Sequence, residues 1–88
     1  MKGIYKLFLD FGYGTIEGIF VEERDKVASI MGKTIDFGDV LGKHSEVIGE
    51  IDVGDISLVT EDTQAVAIFE RYNMETGYNP FYYLNDEE

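Results

Sequence analysis

Apolar residues along the chain fall into short runs separated by glycines and acidic residues. Residues 4–11 and 15–21 are apolar and aromatic, and Gly12-Tyr13-Gly14 between them has the composition of a tight reversal. This pattern predicts an N-terminal β-hairpin. Both segments carry apolar residues on both faces, which indicates a central place in a sheet or a second layer over it.

The next segment has helical spacing. Residues 22–31 begin with acidic residues and place Val27, Ile30 and Met31 on one face, and Gly32 follows as a natural C-terminal stop. We therefore predict a helix of about two or three turns, which must pack on the sheet because a helix this short is marginal alone.

The middle of the chain returns to strand-like patterns. Residues 34–41 and 46–51 are predicted strands joined through the segment LGKHSE, and Gly38 indicates a bend or bulge. Asp52-Val53-Gly54-Asp55 has turn chemistry, and residues 56–59 alternate as a further strand.

The C-terminal part predicts a second helix and an aromatic tail. Thr60 is the expected N-cap, residues 65–72 supply the apolar face, and Gly77 is the expected exit from the helix. Residues 78–84 are irregular around Pro80 and rich in aromatic side chains, which we expect to pack back onto the domain.

The predicted order β-β-α-β-β-β-α indicates an α+β fold. We expect a single compact domain over residues 1–88, with residues 85–88 a frayed acidic tail. Its architecture is a small, mostly antiparallel sheet of about five strands with two helices packed against it, both to one side.

Composition indicates whether the chain can form a core and in which cellular compartment it is expected. Hydrophobic residues make up 44% of the 88 residues, enough for a real core, and no apolar run approaches the roughly 18–20 residues of a membrane span. The absence of cysteine excludes disulfides and thiol chemistry, and the N-terminus does not have the pattern of a signal peptide. We therefore expect a cytoplasmic protein that does not bind membranes.

Charge is the main functional clue. Eighteen acidic residues against seven basic ones give a formal net charge of −11. Such a surface repels nucleic-acid phosphates and favours rapid encounter with basic protein surfaces, although acidity also serves solubility alone. Direct nucleic-acid binding is therefore not expected.

Catalysis finds little support in the one donor-rich segment, LGKHSEVIG. His44 and Ser45 are neighbours on an extended segment and point to opposite faces, so the imidazole is badly placed to deprotonate the hydroxyl. Gly42-Lys43 resembles part of a phosphate loop, but position 37 is Phe where that motif needs glycine. The carboxylates near residues 52–55 match no EF-hand. We predict no enzyme activity, metal or cofactor.

Two binding hypotheses remain open. The first is an anion site in which Gly42, Lys43, His44 and Ser45 supply donors and close backbone approach, with Tyr13 stacking on a base. The alternative is that this segment is an ordinary polar hairpin turn.

The second hypothesis concerns the aromatic tail. Tyr78, Phe81, Tyr82 and Tyr83 are candidates for contacts with a partner protein, because tyrosine is favoured at interfaces. The alternative is that these rings only pack at the edge of the core.

The segments FGDVLGKHSEV (residues 37–47) and GYNPFYYL (residues 77–84) resemble those of small, acidic proteins encoded by bacteriophages and mobile elements. Proteins of this host-takeover or anti-defence type often neutralise host machinery by occupying a basic surface or by sequestering a nucleotide signal. The resemblance implies such a role, in the host cytoplasm, and assigns no functional residues.

The leading hypothesis is a non-enzymatic acidic binding protein, an inhibitor of a host defence protein with a basic surface. The first alternative is a sponge that sequesters a nucleotide-like immune signal in the pocket of a homo-oligomer. The second is a structural or assembly subunit.

Overall fold

The computed structural model of the chain describes residues 1–12, 14–38 and 48–84. The described residues form an antiparallel four-stranded sheet and a second, two-stranded sheet with two α-helices, which confirms the predicted α+β class. The elements in chain order are β1 (Lys2–Asp10), β2 (Thr15–Glu23), α1 (Arg24–Ser29), β3 (Thr34–Asp36), β4 (Ile48–Glu50), β5 (Ile56–Thr60), α2 (Thr63–Arg71), β6 (Thr76–Gly77) and a 3₁₀ helix (Pro80–Tyr82).

The predicted N-terminal hairpin is confirmed. β1 and β2 pair in register over all nine residues of each strand. At the turn, the Phe11 N–H donates to the Gly14 carbonyl at 2.9 Å. Gly12 has φ +88°, a left-handed conformation that explains the glycine.

The main sheet has the order β5-β1-β2-β6, so the hairpin lies at its centre as predicted. β5 is a confirmed strand, and its pairing with β1 is interrupted by a bulge at Val59. β6 was not predicted, since two residues are too few for hydrophobic alternation to indicate a strand.

β3 and β4 are confirmed as antiparallel strands, but they form a sheet of their own rather than extending the main one. Backbone hydrogen bonds tie this small sheet to its surroundings: the Gly32 N–H donates to the Ile51 carbonyl at 2.7 Å, and the Asp36 N–H to the Tyr83 carbonyl at 3.2 Å. Of the residues that link β3 to β4, residues 39–47 lie outside the described residues.

The first helix is shorter than the predicted range of 22–31. β2 continues to Glu23, because Glu22 and Glu23 pair with the start of β1, and α1 begins only at Arg24. Helical spacing could not reveal this, since the pairing partner lies about 20 residues away in sequence. Val27 is buried on the helix, and Gly32, at φ +85°, follows it as expected.

The predicted start of the second helix is wrong by two residues. Thr60 belongs to β5, and its Oγ1 accepts the Asp62 N–H at 3.1 Å rather than capping the helix. The residue at the N-cap is Asp62, which makes no side-chain capping bond.

The predicted exit at Gly77 is also wrong, because α2 ends in a Schellman motif four residues earlier. Asn73 has φ +51°, its N–H donates to the Glu70 carbonyl at 3.2 Å, and the Met74 N–H donates to the Phe69 carbonyl at 3.0 Å. Asparagine tolerates the left-handed conformation, so the helix needs no glycine there. Gly77 lies instead in β6, paired with Gly18.

The two faces of the main sheet are covered differently. One face carries the principal core, formed with α1, the small sheet and the tail by Tyr5, Leu7, Leu9, Ile16, Phe20, Val27, Ile30, Ile35, Phe37, Ile51 and Ile56. On the opposite face α2 buries Val66 and Phe69 against Ile4. The helices thus lie on opposite faces rather than to one side. No helix among the described residues is long and apolar enough to cross a membrane.

Candidate functional site

The predicted anion site does not fall on described residues. Gly42, Lys43, His44 and Ser45 lie in the range 39–47, and these residues and Tyr13 are all outside the described residues. The anion site, and with it the nucleotide sponge, stays a prediction.

Three of the four predicted partner-binding aromatics pack against the core. The ring of Phe81 contacts that of Phe20 edge-to-face, with centroids 5.9 Å apart. Tyr78 and Tyr83 both contact buried Phe37, at 5.6 and 5.0 Å between centroids, and their own rings are 6.0 Å apart. This arrangement confirms the expectation that the aromatic tail packs back onto the domain.

Tyr82 is the member of this set that faces solvent, with 72% of its surface exposed. Its hydroxyl interacts with the Glu75 carboxylate, and this hydrogen bond raises the pKa of Tyr82 above its ordinary value of 10.0. The structure therefore does not bring the four aromatics together as one exposed surface. Their role in partner binding stays a prediction.

A different surface combines an exposed aromatic ring with carboxylates. Phe8 lies on the α2 face of β1, beyond the part that α2 covers, and 45% of it is exposed. Its neighbour across the hairpin is Glu17, so the two side chains lie on one face of the sheet. Asp10 is two residues along the same strand and shares that face. We call Phe8, Asp10, Glu17 and Asp55 the acidic face.

Asp55 joins the acidic face through β1 and the turn before β5. Its carbonyl accepts the Phe8 N–H at 2.9 Å, and its Oδ2 accepts the Asp52 N–H at 2.8 Å. Asp10 is fixed in the same way, since its Oδ1 accepts the Gly12 N–H at 2.8 Å. Backbone donors thus hold both carboxylates in place without neutralising their charge.

A shallow cleft adjoins the acidic face on the side of β6. Its volume is about 330 Å³, and it is lined by Lys6, Glu17, Gly18, Ile19, Thr76 and Gly77. Glu17 belongs to both the cleft and the acidic face. The lining of the cleft therefore carries one carboxylate, Glu17, and one ammonium group, Lys6.

Ion pairs of the described residues lie at the opposite end of the molecule. The N-terminal ammonium contacts Glu23 at 2.9 Å, Lys2 contacts Glu70 at 3.0 Å, and the Arg24 Nε donates to Glu61 at 2.9 Å. These contacts surround the start of β1, which is eight residues, or roughly 27 Å, from Asp10. Within residues 1–12, 14–38 and 48–84, no carboxylate of the acidic face makes an ion pair.

Two of the carboxylates in these ion pairs, Glu23 and Glu61, have lowered pKa values. The hydrogen bond from the N-terminal ammonium lowers the pKa of Glu23 below its ordinary value of 4.5, and the hydrogen bond from Arg24 lowers that of Glu61 in the same way. The same contacts raise the pKa of the N-terminal ammonium and of Arg24. At neutral pH these carboxylates are ionised and matched by cations.

Metal-ligating groups and unpartnered buried polar atoms were both sought in the described part of the chain. No group of three or more His, Cys, Asp or Glu side chains there could hold a metal ion. No buried side-chain nitrogen or oxygen atom in the same part lacks a hydrogen-bond partner.

The acidic face was not recognised in the sequence. Phe8 lies between Leu7 and Leu9 in a strongly apolar strand, which indicates a core residue. Only the length and placement of α2 leave the ring exposed. No protein-family model matches the chain, and neither a curated protein nor a solved structure matches it significantly.

Proposed function

We propose that the chain is a non-enzymatic binding protein that docks its acidic face on a basic, arginine-bearing surface of another protein. The observation that carries this proposal is Phe8, an exposed ring bordered by Glu17 and Asp10, whose carboxylates make no ion pair within the described residues. Exposed aromatic rings are typical anchors of protein interfaces.

Arginine is the partner side chain that fits these neighbours. A guanidinium can stack on the Phe8 ring while its N–H groups donate to the Glu17 carboxylate, which lies directly across the hairpin. Lysine can satisfy the carboxylate but stacks less well. The net charge of −11 adds long-range attraction, so a basic partner is also captured quickly.

Covering a basic groove in this way blocks whatever anionic ligand the groove binds, which makes the chain an inhibitor. The proposal that its target is a host defence protein rests on the resemblance to phage-encoded proteins alone. Assembly with a basic partner as a structural subunit would use the same face.

The test compares an oligo-arginine peptide with an oligo-lysine peptide of equal length by calorimetry. We expect the arginine peptide to bind more tightly than the lysine peptide. Phe8→Ala should weaken binding of the arginine peptide about two- to fivefold and bring the two peptide affinities closer together. Tyr72→Ala is the matched control, since Tyr72 is an exposed aromatic residue at the end of α2.

Charge is tested separately with Glu17→Gln against Asp25→Asn, an exposed carboxylate on α1. The first should reduce arginine-peptide affinity more than the second, and association rates should fall steeply with added NaCl. Equal effects of Phe8→Ala and Tyr72→Ala, or equal effects of the two carboxylate changes, would show that binding is only a response to net charge.

A further inference from the structure

β5 is an edge strand whose outer side is not paired within the described residues. It pairs with β1 alone, and on its other side the described part of the chain provides no strand. The Asp55 carbonyl accepts the Phe8 N–H. The alternation of an antiparallel ladder then directs the N–H and C=O groups of Ile56 and Leu58 outward. With respect to residues 1–12, 14–38 and 48–84, this edge therefore offers four backbone groups to an incoming strand.

Most of the usual protections of an edge are missing from β5. Its sequence, ISLVT, contains neither proline nor a charged residue, and Leu58 and Val59 are 49% and 55% exposed. The bulge at Val59 disturbs only the C-terminal end of the strand. β6, at the opposite edge, has only two residues and offers little to a partner strand.

Acidic residues bracket this uncharged edge. Asp52 and Asp55 precede β5, and Asp62 follows it, whereas the charge of Glu61 is matched by Arg24. An extended segment that pairs with β5 places its own ends beside these carboxylates. The edge therefore favours a segment with a β-forming, apolar centre and basic residues on both sides.

A second copy of the chain fits this edge poorly. Antiparallel pairing of two β5 strands centred on Ser57 sets Asp52 of one copy opposite Asp62 of the other. Like charges directly opposite one another are destabilising, and each copy carries a formal charge of −11.

We propose that β5 binds an extended, basic-flanked segment of a partner protein, which adds to the main sheet as a fifth strand. Backbone hydrogen bonds at Ile56 and Leu58 supply affinity, and the flanking carboxylates select lysine or arginine. The proposal rests on the proposed function for the basic character of the partner. The two surfaces share Asp55, but the outward backbone groups of β5 do not involve the Phe8 ring.

The test uses the peptide Lys-Lys-Thr-Val-Thr-Val-Thr-Lys-Lys and the same peptide N-methylated at alternate central residues. N-methylation keeps charge and composition but removes the donors of one strand edge. We expect the N-methylated peptide to bind about tenfold more weakly, since about two backbone hydrogen bonds are lost. In amide exchange, the unmodified peptide should protect the N–H groups of Ile56 and Leu58 specifically.

Two matched variants locate the site. Leu58→Lys should reduce binding of the unmodified peptide strongly, because lysine on an edge strand opposes strand addition and repels the basic flanks. Ile68→Lys makes the same change at a residue of similar exposure, 52%, on α2 and should behave much more like the wild type. Both positions are half exposed, so both variants should fold, which circular dichroism checks.

Several results would overturn the proposal. One is equal affinity for the two peptides, and another is equal loss in Leu58→Lys and Ile68→Lys. A third is salt-stabilised dimerisation of the chain that itself protects Ile56 and Leu58, which would make a second copy the occupant. Phe8→Ala separates the two proposals: it should weaken oligo-arginine binding while leaving the protection of β5 by the strand peptide unchanged.

Discussion

Gly18 illustrates how much one missing side chain decides. A Cβ added there would lie 2.0 Å from the Tyr78 carbonyl oxygen and 2.6 Å from the Tyr78 nitrogen, both backbone atoms. The adjoining residue of the tail, Gly77, has φ +73° and would clash with Glu17 in the same way. These two glycines let β6 pair with β2 at a backbone separation that side chains would prevent, and Tyr78 then packs against the core.

We expect Gly18→Ala to destabilise the domain by about 1–3 kcal/mol, because the tail backbone must move away from β2. Gly54→Ala is the control: nothing lies within 4 Å of its added Cβ, so its effect should stay within about 0.5 kcal/mol. Urea unfolding followed by tyrosine fluorescence measures both. Equal stability of the two variants would mean that the tail does not depend on this crossing.

The contact between Arg24 and Glu61 joins elements that are distant in sequence. Arg24 opens α1, and Glu61 lies between β5 and α2 with only 16% of its side chain exposed. Two guanidinium nitrogens donate to the two carboxylate oxygens, a bidentate arrangement. The contact thus fixes the helix start against the edge of the main sheet.

This contact predicts a specific pH dependence. The folded-state pKa of Glu61 is lowered below 4.5, so its contribution to stability is complete above about pH 4.5 and is lost as the pH falls through the lower folded value. We expect the stability difference between wild type and Arg24→Gln to shrink from about pH 6 to about pH 3. Lys26→Gln, which removes a charge from the same helix, should show no such trend in urea unfolding. A constant difference for Arg24→Gln would contradict the role of the pair.

At the scale of the whole molecule, the formal charge of −11 on 88 residues opposes compaction. Ion pairs relieve this repulsion at the start of β1, whereas the acidic face near the hairpin turn keeps it. The domain thus gives up some stability where it carries the charge that a basic partner would neutralise.

We therefore expect the melting temperature to rise with NaCl between about 0.01 M and about 0.5 M, as screening shortens from about 30 Å to a few ångströms. Glu50→Lys, an exposed position on β4, reduces the net negative charge by two and should show a smaller rise. Differential scanning calorimetry measures both. A melting temperature that falls with salt would show that the ion pairs outweigh the repulsion.

The sequence by itself determined the α+β class and most of the elements, although not the bounds of the helices. The apolar runs of β1 and β2, the turn between them and the aromatic tail depend on neighbours within a few residues, and these interactions leave a local pattern. The net charge on which the proposed basic partner rests also follows directly from the amino-acid composition.

Only the tertiary structure decided which residues are covered and where some of the elements begin and end. Which face α2 covers, how far β2 runs before α1, and where Gly77 lies depend on residues far apart in the chain, and no local period records such pairings. Phe8 is the clearest case, because the same strand pattern fits a buried ring. It is exposed because α2 packs over Ile4 and does not extend to the hairpin turn.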